Sequence, residues 1–290
     1  MLLLDLSSIV IPEVIFLTSV GKEKLSEDLV RRIVISQIIT YKNKYVGDYS
    51  PLVICADSRN YWRKDIFPHY KCNRKKYRKE SHLNWEEFYI YFGRIKEEIK
   101  NIRGFTLLEI ERLEADDIIA ILSKRYSQVK NVMIVSLDKD LIQLQTYSSN
   151  IEQFSPKTKK KLTLKNKEYS LMEHIIRGDS SDGIPNILSD DDVFLDANKR
   201  QKQIRKAFVN EAKSWDEEKW LSAFKQSVVD KYYRNKTLID LNCIPKEYTK
   251  KVIETYENVV EQPKRKKSSL FDYAIKHKLR KVIDQLGAIK

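Results

Sequence analysis

Short apolar runs alternate with amphipathic stretches through the first half of the chain, and the alternation changes character beyond about Glu168. Leu2–Val10 reads as a buried strand, and Leu25–Tyr41 carries Leu25, Leu29, Ile33 and Ile38 at helical spacing. Leu52–Ala56 is a second apolar run, short enough for a parallel strand. Asn84–Ile102 has the spacing of an amphipathic helix and is followed by a strand near Phe105–Leu108. Ala115–Tyr126 is helical, with Ile118, Ile119 and Leu122 on one side; Val132–Val135 is again a buried strand, and Leu141–Leu144 begins the next helix. Strands alternating with helices predict an α/β fold with a mainly parallel central sheet flanked by helices. Beyond Glu168 helical patterns run to the end, and Trp215, Trp220, Phe224 and Val228 recur at roughly helical intervals as packing residues. Pro263–Lys267 is a basic linker before a last amphipathic helix, Ser268–Leu286. The expected division is an α/β domain over residues 1–178 and a helical domain over 179–290.

With 290 residues, 42% hydrophobic and 33% charged, the chain has a globular composition and can bury a full core. Its formal net charge of +13 makes nucleic acid the leading partner class, against the plainer reading of a solvated lysine-rich surface. Cys55, Cys72 and Cys243 are scattered and offer neither a disulfide framework nor a C-x-x-C metal pattern. No segment has the length of a membrane span and no secretory leader is evident, so a soluble protein of a reducing, cytoplasmic compartment is expected, with no membrane partner.

Against this basic background, carboxylates stand at the ends of the apolar runs. They are Asp5 in L-L-L-D-L, Asp57 in V-I-C-A-D-S, Glu114, Asp116 and Asp117 in E-A-D-D, Asp138 and Asp140 in S-L-D-K-D, and Asp179 and Asp182 in G-D-S-S-D-G. Ligands of open parallel sheets collect outside the carboxyl ends of strands, so acids distant in sequence can converge there. Glu114 and Asp117 share one helix face by their spacing. Asp116 either joins the cluster from the first turn or only favours the helix dipole. Each acid alone has a simpler role as a cap or turn residue. Together in one cleft they would repel by several kcal/mol unless multivalent cations neutralise them. Oxygen-only donors, with His69, His82, His174 and His277 dispersed, favour Mg²⁺ or Mn²⁺ over zinc. Two such ions ~4 Å apart are a general device for phosphodiester cleavage.

The segment 59–80 is the second signal. Arg59, Arg63, Lys64, Lys71, Arg74, Lys75, Lys76, Arg78 and Lys79 are interleaved with Tyr61, Trp62, Phe67, Tyr70 and Tyr77. Cations grip phosphates and aromatics stack on unpaired bases, so the composition suits single-strand binding; the alternative is that the aromatics pack.

In order and spacing, L-L-D-L-S, C-A-D-S with Y-W-R-K-D, Y-K-C-N-R-K, E-A-D-D, S-L-D-K-D and G-D-S-S-D-G-I-P resemble the 5′ nuclease (flap endonuclease) superfamily, and within it the ribonuclease H branch of T4-type bacteriophages. The resemblance is firmest over Leu2–Pro185 and looser beyond. It implies a 5′ nuclease/PIN-like α/β fold with a helical arch at 59–80 and a helical C-terminal domain. It also implies a 5′→3′ exonuclease and flap endonuclease acting on DNA and RNA·DNA hybrid with a 5′ end or 5′ flap, removing RNA primers in replication. Asp5, Asp57, Glu114, Asp116 and Asp138 match the acids around a first Mg²⁺, and Asp140, Asp179 and Asp182 those around a second, with Mn²⁺ as a substitute. Lys71 and Arg74 match cations that meet the scissile phosphate, and Tyr61, Arg63 and Lys64 stand at the arch entrance. The segment 180–208 takes the place of a helix-hairpin-helix region. Where the family has a glycine-rich turn holding potassium (K⁺), this chain reads I-L-S-D-D-D-V-F-L-D. Asp190, Asp191 and Asp192 would repel phosphate, which speaks against the K⁺ site and moves the expected duplex contacts to Lys199, Arg200, Lys202, Arg205 and Lys206. The triplet itself reads as a solvated helix start. A monomer, with a single-stranded-DNA-binding protein as partner of the C-terminal helices, is expected on the resemblance alone. The rivals are a PIN-like single-strand endoribonuclease and a nonhydrolytic DNA-binding protein, which would need the cations but not the acids.

Overall fold

The computed structural model describes residues 1–45, 47–164, 170–196, 198–212, 214–261 and 268–287, with only the backbone of Lys75, Lys76, Glu217, Leu221 and Gly287. The chain begins with β1 (Leu2–Asp5), α1 (Leu6–Ser19), α2 (Glu27–Tyr45) and β2 (Leu52–Ala56). Two short helices follow, α3 (Arg63–Ile66) and α4 (Asn73–Glu80), then α5 (Trp85–Lys100), β3 (Thr106–Glu109), α6 (Ala115–Tyr126) and β4 (Val132–Val135). A 3-10 turn at Asp140–Thr146 leads to β5 (Ile151–Ser155) and β6 (Lys160–Leu162). Seven helices are described beyond β6: α7 (Leu171–Arg177), α8 (Lys206–Ala212), α9 (Glu217–Ala223), α10 (Gln226–Ile239), α11 (Lys246–Glu261), α12 (Leu270–Lys276) and α13 (Arg280–Gly287).

Two compact units are built from interleaved segments: Met1–Arg59, Ser81–Lys167 and Glu247–Lys290 in the first, Asn60–Glu80 and Glu168–Lys246 in the second. The first holds a six-stranded sheet in the order β3-β2-β1-β4-β5-β6, parallel throughout except for the antiparallel edge strand β6. Leu3 lies beside Val53 on one side and Ile134 on the other, and all three are fully buried, as central parallel strands require. The strand expected over Leu2–Val10 ends at Asp5. There the Asp5 carboxylate accepts from Ser8 N at 3.1 Å, caps α1, and turns Leu6, Ile9, Val10 and Val14 inward at helical spacing. The expected last helix is two helices, α12 and α13, because the chain reverses at Lys278 with φ +53.

Arg31 ties the C-terminal helices to the sheet unit. Its buried guanidinium donates to both oxygens of Glu98 on α5 at 3.0 Å, and to Asp28 at 2.7 Å. Tyr273 on α12 donates to the same Glu98.

In the second unit Phe67, Tyr70, Ile175, Ile176, Ile187 and Trp220 share a core with Tyr232, whose ring stacks on Trp220 at 4.6 Å. Buried Asn235 donates to the carbonyls of Ile175 (3.0 Å) and Pro185 (2.8 Å). Trp220 is in the core, with Trp215 and Phe224 packed against it, as expected.

Candidate active site

In the sheet unit, Asp5 ends β1, Asp57 follows β2, and Asp138 follows β4. These are three neighbouring parallel strands, so the acids leave the sheet at one edge. Asp57 Oδ2 accepts from Ser7 Oγ at 2.8 Å, and Asp57 Oδ1 accepts from Ala115 N, the first residue of α6, at 2.9 Å. That bond draws the E-A-D-D motif to the same edge. Asp5 Oδ2 accepts from Ser136 Oγ at 2.7 Å, and Ser136 Oγ in turn accepts from Asp138 N at 3.0 Å. Asp138 Oδ1 then accepts from Asp140 N at 2.8 Å.

The electrostatics match this crowding. Burial, and then the charge of Asp57, push the Asp5 carboxyl up to about 7 against the opposing pull of Ser136 and Ser8, with Asp138 adding to the rise. Burial also raises the Cys55 thiol well above its ordinary value, reinforced by Asp5, Asp116 and Asp57. Asp116 therefore belongs to the same field as Asp5 and Asp57. The first turns of α1 and α6 start at this edge and place the positive ends of their dipoles beside it.

Asp117 is different. It is fully buried, and its carboxylate accepts from Glu114 N at 3.1 Å, closing a capping box. The capping box gives Asp117 a structural role at the α6 terminus beside the metal-ligand role expected of it. Glu114 is also buried, and Asp116 and Asp140 are half-buried.

In the second unit, the G-D-S-S-D-G loop closes on itself and on the basic segment. Asp179 and Ile184 exchange backbone hydrogen bonds of 2.9 and 2.7 Å. Gly178, at φ +67, lies so close that a Cβ would stand 2.3 Å from the Ile184 carbonyl oxygen. Asp179 Oδ1 accepts from Ser181 N and Oγ at 2.8 and 2.6 Å, and His174 Nε2 lies 3.5 Å from Asp179 Oδ2. Burial would raise the Asp179 carboxyl, but His174 and Ser181 outweigh it and hold the group well below the usual range. Asp182 accepts from Tyr70 OH and Arg74 Nη2, both at 3.0 Å, and lies 3.7 Å from Lys71 Nζ. Lys71 N donates to the Asp182 carbonyl at 2.7 Å, and Asn73 Nδ2 to that of Ser180 at 2.7 Å.

Several expectations for the basic segment change. Trp62, Phe67 and Tyr70 are buried, so they pack. Arg63 is buried as well, donating to the Leu238 carbonyl at 2.9 Å, which corrects its placement as a guide for a 5′ end. Lys64 and Tyr77 are exposed, and Tyr61 is half-buried beneath the Lys71 ammonium at 5.2 Å. The side chains of Lys75 and Lys76 lie outside the described residues, as does the linker Pro263–Lys267.

Among the described residues, 180–196 and 198–205 form turns and bends where a helical hairpin was expected. Asn186 replaces helical bonding: it donates to the Lys202 carbonyl and accepts from Leu188 N, Ser189 N and Ser189 Oγ. The expected helix start at Asp190–Asp192 is a turn in which Asp191 pairs with Arg234 and Asp192 with Lys199. Lys199, which pairs with Asp192, is exposed, as are Arg200, Lys202 and Arg205. Sequence reasoning missed Ser7, Ser8, Ser136 and Gln153, which orient the acids or their backbone. Only the spacing from Asp5 to Ser8 carried a signal, that of a helix cap.

The family model described as 5′-3′ exonuclease, N-terminal resolvase-like domain matches residues 21–174, and that described as T4 RNase H, C terminal matches residues 165–289. Ribonuclease H of Enterobacteria phage T4 is 29% identical over 273 residues, covering 92% of this chain and 88% of its own. A 5′-3′ exonuclease of Buchnera aphidicola subsp. Schizaphis graminum is 33% identical over 153 residues, half of each chain. Among solved structures, a bacteriophage T5 flap endonuclease in a pseudo-enzyme-product complex with DNA and metal ions has a TM-score of 0.65 at 16% identity. The T5 5′-exonuclease with bound zinc has a TM-score of 0.64 at 18% identity. In both cases 90% of this chain and 99% of the other is covered, and the likeness establishes the fold. The chain therefore belongs to the 5′-3′ exonuclease family and is a nuclease, an enzyme that hydrolyses phosphodiester bonds.

Proposed function

We propose that this nuclease is a divalent-metal-dependent 5′→3′ exonuclease and flap endonuclease. Its substrates are DNA and RNA·DNA duplexes with a 5′ end or 5′ flap, and its task is to remove RNA primers during replication. The observation that carries the metal dependence is the gathering of Asp5, Asp57 and Asp138 behind neighbouring strand ends, with Asp5 pushed up to about 7. A set of oxygen donors that repel one another suits hard divalent ions, Mg²⁺ first and Mn²⁺ as its substitute. Asp5, Asp57, Glu114, Asp116 and Asp138 would hold a first ion, and Asp140, Asp179 and Asp182 a second. Bound in this way, such ions activate water and stabilise the leaving oxygen of a phosphodiester.

The chain's own contribution is orientation and charge. Ser7, Ser8 and Ser136 hold Asp57 and Asp5 in fixed rotamers, so the donor oxygens are set before substrate arrives. Lys71 and Arg74 neutralise the scissile phosphate, and Lys64, Arg200, Lys202 and Arg205 contact backbone phosphates further along. No protein nucleophile is required. A single-stranded-DNA-binding protein is the partner proposed for the C-terminal helices.

The test uses 5′-labelled primer·template and flap substrates with Mg²⁺. Cleavage near the 5′ end is expected, with Asp57→Asn and Asp138→Asn retaining substrate affinity and losing activity. Unimpaired cleavage by both variants would sink the metal assignment. Cleavage of free single-stranded RNA regardless of a 5′ end would replace it with a PIN-like endoribonuclease.

A further inference from the structure

The turn between β5 and β6 concentrates positive charge beside the acid centre. Lys157, Lys159, Lys160 and Lys161 are all exposed, and Lys161 pairs with Glu152 at 2.7 Å. Lysines on an edge strand ordinarily guard it against pairing with another chain. That is one role for Lys160 and Lys161, which lie in β6, Lys160 as its first residue. Lys157 and Lys159 precede the strand and guard nothing.

Topology places these two. β5 runs parallel to β4, and β4 parallel to β1, so the chain leaves β5 at the edge where Asp5 and Asp138 stand. Only β4 separates β5 from β1, and at ~4.8 Å per strand the turn begins about 10 Å from Asp5. The turn is also fixed to the centre. Buried Gln153 donates to the Asp138 carbonyl, and Ser136 N donates to the Phe154 carbonyl at 3.3 Å. Within it, Lys159 takes φ +54 while its N–H donates to the Ser155 carbonyl at 2.9 Å.

We infer that the β5–β6 hairpin is a phosphate-binding site, gripping the backbone of the bound nucleic acid a few nucleotides from the acid centre through Lys157, Lys159 and Lys160. The spacing fits, since ~10 Å spans about three phosphates at an axial rise of ~3.4 Å per strand. Ammonium groups act as compact point charges, so the contact reads no sequence. The inference rests on the nuclease acting on a duplex or flap.

The experiment measures binding of a fluorescent 5′-flap DNA in EDTA from 50 to 200 mM KCl. It compares the parent with a triple variant, Lys157→Gln, Lys159→Asn and Lys160→Gln. Asn is chosen because it tolerates the left-handed backbone at position 159. A second triple variant, Lys251→Gln, Lys276→Gln and Lys281→Gln, removes the same charge from exposed sites on α11, α12 and α13. Three lost contacts make the slope of log affinity against log salt shallower by roughly two to three, and weaken binding at least tenfold, only in the hairpin variant. An unchanged slope, or equal losses in both variants, overturns the inference. If the parent itself binds no flap or duplex, the proposed substrate class has failed instead. Matching thermal melts for the three proteins establish that the difference lies in binding.

Discussion

Asp5→Asn should stabilise the metal-free protein while abolishing its activity. The carboxyl is 6% exposed and pushed from 3.8 to about 7, first by burial and then by Asp57. At 1.36 kcal/mol per unit, holding it ionised in the folded state costs about 4 kcal/mol, an upper bound because solvent and side chains relax. The sign follows from proton affinity. The folded state holds this proton more tightly than the unfolded chain, so the group contributes no penalty below about pH 4. Stability then falls as pH rises through about 7. Asparagine removes the charge but keeps an oxygen to accept from Ser8 N, so the α1 cap survives, and its amide can donate to Ser136 Oγ. A gain of about 2 kcal/mol at pH 8 corresponds to a rise in Tm of roughly 4–8 °C for a protein of this size. Thermal unfolding in EDTA at pH 4 and pH 8 is the assay, with the gain expected only at pH 8. Adding Mg²⁺ or Mn²⁺ at pH 8 should narrow the gap by stabilising only the parent. A variant that melts with the parent at pH 8, or gains equally at both pH values, refutes the reasoning.

Arg31→Ala should destabilise the sheet unit by about 3 kcal/mol, since it leaves Glu98 and Tyr273 without their buried cation; urea unfolding tests this, and a change under 1 kcal/mol contradicts it. Gly178→Ala should destabilise the second unit by ~3 kcal/mol, because φ +67 with ψ −172 is nearly confined to glycine and a Cβ would stand 2.3 Å from the Ile184 carbonyl oxygen. The same denaturant series, followed by tryptophan fluorescence from Trp215 and Trp220, would refute this if its midpoint stayed with the parent's.

The parallel core was legible because Leu52–Ala56 and Val132–Val135 are short apolar runs ending in acids, and both strands fall at those bounds. The start of α1 was hidden because Leu2–Leu4, Leu6 and Ile9–Ile11 flank the Ser7–Ser8 pair too closely for either period to stand out. β5 escaped notice because its buried positions include Gln153, a polar side chain whose partner is a carbonyl on the neighbouring loop. The acids themselves could be read from motif spacing, but their burial could not. Glu114 and Asp117 share a helix face in either role, and the capping box between them became visible only in the packed structure. Arg63 looked like a solvent-facing cation because its acceptor, Leu238, lies 175 residues away.

The joining of Asp182 to Tyr70, Lys71 and Arg74 has a mechanical consequence. The backbone bond from Lys71 to Asp182 and the side-chain bond from Asn73 to Ser180 make the two loops one hydrogen-bonded block. Whatever displacement carries Lys71 toward a phosphate also carries Asp179 and Asp182, so cation and carboxylate travel as a single lever. Loosening either loop alone would disturb both the phosphate contact and the metal donors proposed above.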